Sequence, residues 1–353
     1  MDFFFEKLRS VGLQKLGLSI LCGILAIVLI LLIFATAFVH QLVGKISSNQ
    51  SGDHLGGTLS SEQLDDLHND ETLPSDFTGE TLHPDDVTTP TEIEIEMLSN
   101  PNVINIMLVG QDRRPGEGRQ RSDSMILCSF NTEKKTFSMI SFLRDTYVTI
   151  PGFKSNKINA AYAYGGMKTL TETLKVNYGI QLDGCVEVDF GGFQTIIDML
   201  GGVDITLTEK EANYLNQEYG FSLGSGLQHL NGEEALWYSR IRKLDSDSQR
   251  TARQRKLISA LIDAYKDRSV LEMAGLAGDI LDTGLVKTNM NSADIINYVM
   301  KFFPIVSNST PKSHQIPLAG TWDDVAAIGS NIVDVKIITD LEKNLKLLKD
   351  LLG

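Results

Sequence analysis

The chain has 353 residues, 42% of them hydrophobic and 22% charged, with a formal net charge of −13. That length holds one or two domains, and so acidic a chain excludes nucleic acid as a partner of its whole surface. The three cysteines, Cys22, Cys128 and Cys185, are not spaced with histidine as zinc ligands would be. Buried free thiols are the expectation for Cys128 and Cys185, a disulfide between them staying open if the domain lies outside the cell.

No residue from Leu16 to Val39 is charged, and spanning a bilayer takes roughly 20 residues. Lys7, Arg9 and Lys15 precede this run, and Lys45 is the only lysine or arginine between it and Arg113. The positive-inside asymmetry predicts a cytoplasmic tail over 1–15, a single-pass anchor over 16–39 and an exterior location for the rest. Ala35-Thr36-Ala37 resembles a signal-peptidase site, but the apolar run exceeds the ~7–15 residues of a signal peptide's apolar region. Residues 40–99 carry scattered acids with Gly, Ser, Thr and Pro and no persistent apolar face. They read as a flexible spacer that buries too little surface to offset its ordering entropy.

A folded domain is expected over 100–353. Val103 to Val109 is a buried-strand run closed by Gly110-Gln111-Asp112. After a polar loop, two apolar runs, Met125–Phe130 and Phe137–Leu143, flank the polar turn around Glu133. This is the pattern of a β-hairpin, and its centre sets a residue near 123 opposite one near 144. Arg121, Asp123, Arg144 and Asp145 therefore meet at one sheet edge. If the first strand runs antiparallel to the hairpin, Asp112 joins them beside Asp123. Neighbouring carboxylates repel unless a cation or proton lies between them, and Mg²⁺ suits one or two carboxylates plus phosphate oxygens. Two strand-end aspartates capping turns is the plainer reading of the same pair.

Further along, Asn159 is the expected N-cap of a segment stopped by Gly165-Gly166, followed by an amphipathic helix over Met167–Tyr178. Gly184–Phe190 reads as a strand, Gly191–Leu200 as a helix and Val203–Leu207 as a strand. This alternation implies an α/β domain with helices packed on a sheet. Asn231 with Glu234 at N3 marks a short capped helix that ends near Arg240 and Arg242. The helix after Asp247 carries its apolar stripe on Leu257, Ile258, Leu261, Ile262 and Tyr265. At 100° per residue Arg250 and Gln254 fall on that stripe, Arg253 and Arg255 flank it, and Lys256 points away. An inward guanidinium needs an anion. Asp245 and Asp247 could serve two of these arginines, whereas several planar donors beside metal-binding carboxylates suit a phosphate or pyrophosphate. Residues 269–353 show amphipathic helices over 294–303 and 340–352 and no chemical motif.

The series Gly110-x-Asp112, Arg121-Ser122-Asp123, Arg144-Asp145-Thr146 and Lys157-Ile158-Asn159-Ala160-Ala161-Tyr162 resembles the LytR-CpsA-Psr family. So do Gly201-Gly202-Val203-Asp204, Leu230 to Leu236, and Arg240-x-Arg242 followed by Asp247, Arg250, Arg253 and Gln254. The likeness covers about residues 102–267, with Leu143 where many members have proline. It implies an α/β/α sandwich with a central mixed sheet, displayed on the outer side of a bacterial cell membrane. It also implies an Mg²⁺-dependent (or Mn²⁺-dependent) phosphotransferase. Such an enzyme moves a glycopolymer from a polyprenyl-pyrophosphate carrier, its lipid tail in an apolar tunnel, onto peptidoglycan. By the same resemblance Asp112 and Asp123 would be metal ligands. Arg121, Arg144, Arg240, Arg242, Arg250, Arg253 and Gln254 would hold pyrophosphate, with Arg144, Asp145, Arg240 and Arg242 at the reacting centre. A pyrophosphatase acting on the carrier, and a non-catalytic regulatory protein that senses it, are the alternatives.

Overall fold

The structure, a computed structural model, describes residues 81–87, 89, 95–113, 118–329 and 331–353. The expected tail and anchor, Cys22, and the spacer up to residue 80 lie outside those residues. Among the described residues no helix is long and apolar enough to cross a membrane.

The first half runs β1 (Thr81–Leu82), β2 (Val103–Gln111), β3 (Ser122–Asn131), β4 (Thr136–Phe142), β5 (Tyr147–Val148), β6 (Asn156–Lys157), α1 (Ile158–Tyr178), β7 (Gly184–Asp189) and α2 (Phe190–Met199). Next come β8 (Val203–Leu207), α3 (Glu209–Tyr219), β9 (Gly226–Leu230), α4 (Gly232–Ser239) and α5 (Asp247–Tyr265). The chain ends with α6 (Val270–Asp282), β10 (Val286–Thr288), α7 (Ser292–Asn308), β11 (Lys312–Ile316), β12 (Trp322–Ile328), β13 (Ile332–Ile338) and α8 (Leu341–Leu352).

A six-stranded mixed sheet in the order β10-β7-β2-β3-β4-β11 forms the centre. Its strands read as near-continuous apolar runs because both faces are covered. Met107, Val109, Leu127 and Ile140 face α1 and α8. Their neighbours Ile104, Ile106, Ile126, Cys128 and Met139 face α5 and α7 on the other side. This alternation is the two-residue period of a strand, and it makes an α/β/α arrangement. A satellite core under α3 and α4 is built on the antiparallel pair β8–β9, with Ile205, Leu215, Leu230 and Tyr238 among its buried residues. Cys128 and Cys185 are free, buried thiols that belong to the cores on opposite faces of the sheet. Burial pushes both up to about 12.

Part of the expected spacer is folded. β1 pairs in parallel with β12, Val87 is buried, and Leu98 bridges to Ile180. One expectation for α1 is corrected. Asn159 is not an N-cap, because the helix begins at Ile158 with Lys157 in the cap position and no side-chain cap bond. The turn after β4 supplies the acceptors instead: Ile158 N donates to Thr146 O at 2.8 Å and Asn159 N to Arg144 O at 3.3 Å. Helix-end N–H groups need partners but not side-chain ones. The Gly165-Gly166 stop is as expected: both residues are non-helical, Gly166 at φ 63°, and they separate a first helical segment from a second one that runs on to Tyr178.

The Asn231 cap is as expected: its side chain accepts from Glu234 N while Glu234 caps back. Gly232 inside that cap lets α4 lie against α2, since a Cβ there would fall 2.1 Å from the Gln194 carbonyl oxygen. Gly232→Ala is expected to cost about 1–3 kcal/mol through this backbone clash. A drop in the urea midpoint at unchanged m-value would show it; no drop would mean that α2 is free to shift.

Candidate active site

The hairpin register is the one the turn predicts. Ile126 pairs with Ser141 and Leu127 with Ile140, so Asp123 and Arg144 come opposite each other where the strands end. β2 adds a second device. Gly110 pairs with Ser124 but Gln111 pairs with Ser122, leaving Asp123 as the extra residue of a β-bulge. A bulge re-aims a side chain at a sheet edge. Here it puts Asp123 and Ser124 both at the wall of one cavity.

Asp123 is the hub. Its Oδ1 lies 2.6 Å from Arg144 Nη1 and 3.1 Å from Arg242 Nη2, and Arg250 Nη1 donates to its carbonyl oxygen at 2.8 Å. Burial would raise its carboxyl, but Arg144, Arg242 and Arg250 outweigh that and hold it below the ordinary carboxylate range. Arg250 is 2% exposed, as its place on the apolar stripe requires, and donates from Nε to Asp247 Oδ1 at 2.7 Å. Arg144 also approaches Asp145 at 3.4 Å, and Lys157 Nζ reaches the other Asp145 oxygen at 3.3 Å. Asp112 pairs with Arg240 at 3.2 Å. Arg240 lies flat against Phe190, 3.9 Å from guanidinium carbon to ring centre, with Trp237 at 5.1 Å. Gln254 accepts from Ser124 Oγ at 2.9 Å. Burial, and then the like charge of Arg144, pull Arg242 below its ordinary value. Arg242 shares its carboxylate, Asp123, with Arg144, as suits an anion site.

These groups rim a cavity of about 190 Å³ between the sheet and α5. Below the rim its walls are apolar, with Leu108, Ile126, Val186, Phe193, Leu257 and Ile258. Asp123, Arg240, Arg242, Arg250 and Gln254 line it directly, and Arg144, Asp145 and Asp247 join them through the contacts above. Two expected residues stand apart. Arg253 pairs with Asp245 at 2.7 Å and donates to Ile241 O at 2.7 Å; it lines a different depression. Arg121 is half-buried at the start of β3 and is not among the cavity's lining residues. Lys256 is exposed, as expected. The sequence reading gave no site role to Phe190, Trp237 and Lys157, because aromatic clamps and a lysine at a helix N-cap position leave no charge pattern to follow.

Among the described residues no group of three or more His, Cys, Asp or Glu could hold a metal ion. Asp112 and Asp123 offer hard oxygen donors at adjacent strand ends, each already facing an arginine. That set suits Mg²⁺ only with phosphate oxygens completing the shell, which is how Mg²⁺ is usually held.

The chain is similar to known proteins in sequence and in fold. Regulatory protein MsrR of Staphylococcus aureus (strain Mu50) is 34% identical over 232 residues, covering 65% of this chain and 68% of that protein. Polyisoprenyl-teichoic acid–peptidoglycan teichoic acid transferase TagT of Bacillus subtilis (strain 168) is 35% identical over 213 residues, covering 58% and 64%. The solved structure of YwtF (TagT) with bound octaprenyl pyrophosphate lipid matches with a TM-score of 0.56 at 27% identity, over 75% of this chain and 99% of that one. The family model described as the LytR_cpsA_psr family matches residues 76–346, and the chain belongs to that family.

Proposed function

We propose that this protein transfers a glycopolymer from a polyprenyl-pyrophosphate carrier to peptidoglycan, forming a phosphodiester. One observation carries the reading: a rim of arginines and carboxylates over an apolar cavity, the shape of a ligand with an anionic head and a hydrocarbon tail. The likeness to a structure holding octaprenyl pyrophosphate and to a named teichoic acid transferase supports it.

Phosphoryl transfer needs positioning and charge neutralisation more than a covalent partner. Arg240, Arg242 and Arg250 would take the pyrophosphate oxygens, and Gln254, held by Ser124, would orient them. Arg144 bridges to Asp123 and is steered by Asp145, whose two oxygens are both occupied by cations; a positioning role suits Asp145 better than a basic one. Asp112 and Asp123 would hold Mg²⁺, which when bound neutralises charge on the phosphates. In the transfer, the oxygen of an acceptor hydroxyl bonds to the polymer-side phosphorus. The hydroxyl proton is lost to solvent, and polyprenyl phosphate leaves.

Mass spectrometry of wall glycan after incubation with labelled lipid-linked donor and Mg²⁺ tests the reading. A polymer–glycan adduct supports transfer. Free phosphate ends on the polymer would make the protein a pyrophosphatase. Intact donor, with the carrier bound, would favour the regulatory reading that the name of MsrR suggests. The anchor belongs to the same proposal: residues 16–39 hold the catalytic domain on the outer face of the membrane. The mature protein is expected in the membrane fraction with its N-terminus intact; a secreted form beginning at Phe38 would overturn this.

A further inference from the structure

Across the α4–α5 connection from the apolar cavity lies a second depression, polar and about 470 Å³ in volume, bounded by Glu211, Tyr238, Asp245, Gln249, Arg253 and Lys256. The two recesses share their walls. Ser239 and Arg250 line the first, while Tyr238 and Arg253, on the same two helices, line the second. The connection between them carries Arg240 and Arg242 into the first and Leu244 and Asp245 into the second.

Charge separates the two recesses. In the second, Arg253 is matched by Asp245 at 2.7 Å and Glu211 at 3.5 Å. Lys210 and Lys256 also line it, both exposed, Lys256 donating to Thr206 O, so three cations face two carboxylates and only a small positive excess remains. Polar capacity remains nonetheless. Tyr238 and Arg253 are 0% and 5% exposed, yet Tyr238 Oη and Arg253 Nε have no hydrogen-bond partner. Buried polar groups are nearly always paired, and an unpaired one calls for an explanation. Burial, reinforced by Glu211, pushes the Tyr238 phenol well above its ordinary value, so it remains a donor at any physiological pH. Gln249 adds both a donor and an acceptor from an exposed position.

A roomy, nearly neutral recess with mixed donors and acceptors suits a hydroxyl- and amide-rich saccharide rather than a phosphate or a lipid. We propose that this depression binds the glycan strand of the peptidoglycan acceptor, one wall away from the pyrophosphate rim. The inference rests on the transferase reading and adds the place from which the acceptor hydroxyl arrives. It also gives Arg253 a role other than pyrophosphate binding.

The test is calorimetric titration of the full-length protein with two probes, a peptide-free peptidoglycan tetrasaccharide and geranyl pyrophosphate. Tyr238→Phe and Gln249→Ala are expected to weaken the tetrasaccharide at least fivefold and to leave geranyl pyrophosphate within twofold. Arg250→Ala is expected to do the reverse. Tyr238→Phe keeps the ring, and Gln249 is exposed, so both variants should fold. Equal tetrasaccharide affinity in wild type and both variants, or no binding to wild type at millimolar concentration, overturns the inference while intact geranyl pyrophosphate binding leaves the transferase reading standing. Failure of wild type to bind geranyl pyrophosphate overturns both. A lipid-free fragment of the wall glycopolymer that binds in place of the tetrasaccharide, and is weakened by Tyr238→Phe, would assign the depression to the donor and overturn its assignment to the acceptor.

Discussion

Arg250→Ala is expected to lower affinity for geranyl pyrophosphate by one to two decades and to destabilise the fold as well. The binding loss follows from removing one charge-assisted contact to a phosphate, worth about 1.5–3 kcal/mol. The stability loss has another origin. Arg250 is 2% exposed, and removing it leaves the Asp247 carboxylate, 16% exposed, without its main partner. Breaking a buried pair from one side costs about 3–5 kcal/mol, and the partial exposure of Asp247 puts this case at the lower end. The double variant Asp247→Asn/Arg250→Met should therefore recover much of the stability and none of the affinity. Arg250→Lys should rescue only partly, since a point charge cannot serve Asp247 and the Asp123 carbonyl with one planar fork. Lys256→Ala, at an exposed position of the same helix, should leave donor affinity unchanged. Urea unfolding and calorimetric titration check these points; equal affinity in Arg250→Ala and wild type would remove Arg250 from the site.

Asp123→Asn is the second substitution with a large expected effect. It takes one hard donor from the proposed metal pair and the shared anion from Arg144 and Arg242. Mg²⁺ affinity measured in the presence of pyrophosphate should fall at least tenfold, while circular dichroism stays native. Unchanged Mg²⁺ affinity in both Asp112→Asn and Asp123→Asn would refute the metal assignment. A pH signature accompanies it. The folded-state value of Asp123 is lowered, so its stabilising contribution is fully present above the unfolded value of about 3.9. It is lost as pH falls through the lower folded value. The melting-temperature gap between wild type and Asp123→Asn should thus be open at pH 7, begin to narrow below about pH 4 and close as pH passes the lowered folded value. A gap that does not narrow at all as pH falls below about 4 would mean that the asparagine disturbs packing rather than charge.

Much of this site could be read from the chain alone, for identifiable reasons. Strand pairing about a short turn fixes distances between residues far apart in sequence, so the meeting of Asp123 and Arg144 follows from the position of Glu133. Helical periodicity likewise sends Arg250 and Gln254 inward. Periodicity fails where two interiors flank one helix. Arg253 sits beside the stripe, and the wheel cannot say that a second core lies there, under α3 and α4. The bulge at Asp123 was invisible as well, because a one-residue surplus shows only once the β2 partners are known. The start of α1 was misplaced because tertiary carbonyls, not a polar side chain, satisfy its first N–H groups. The α3 helix and β9, with the capping box at Thr208, passed unread between stronger signals.

The two sealed thiols give a way to watch the layers part. With burial raising each to about 12, only about one in ten thousand is ionised at pH 8, and labelling requires the thiolate. Modification must therefore await an opening fluctuation of the layer that covers each cysteine. Cys128 lies in the layer with α7 and with Ile258 of α5, the side that holds the apolar cavity; Cys185 lies in the layer with α1. If a prenyl tail enters by prising the helices from the sheet, a long-chain ligand should slow alkylation of Cys128 and spare that of Cys185. One chain would then carry both the gauge and its internal reference.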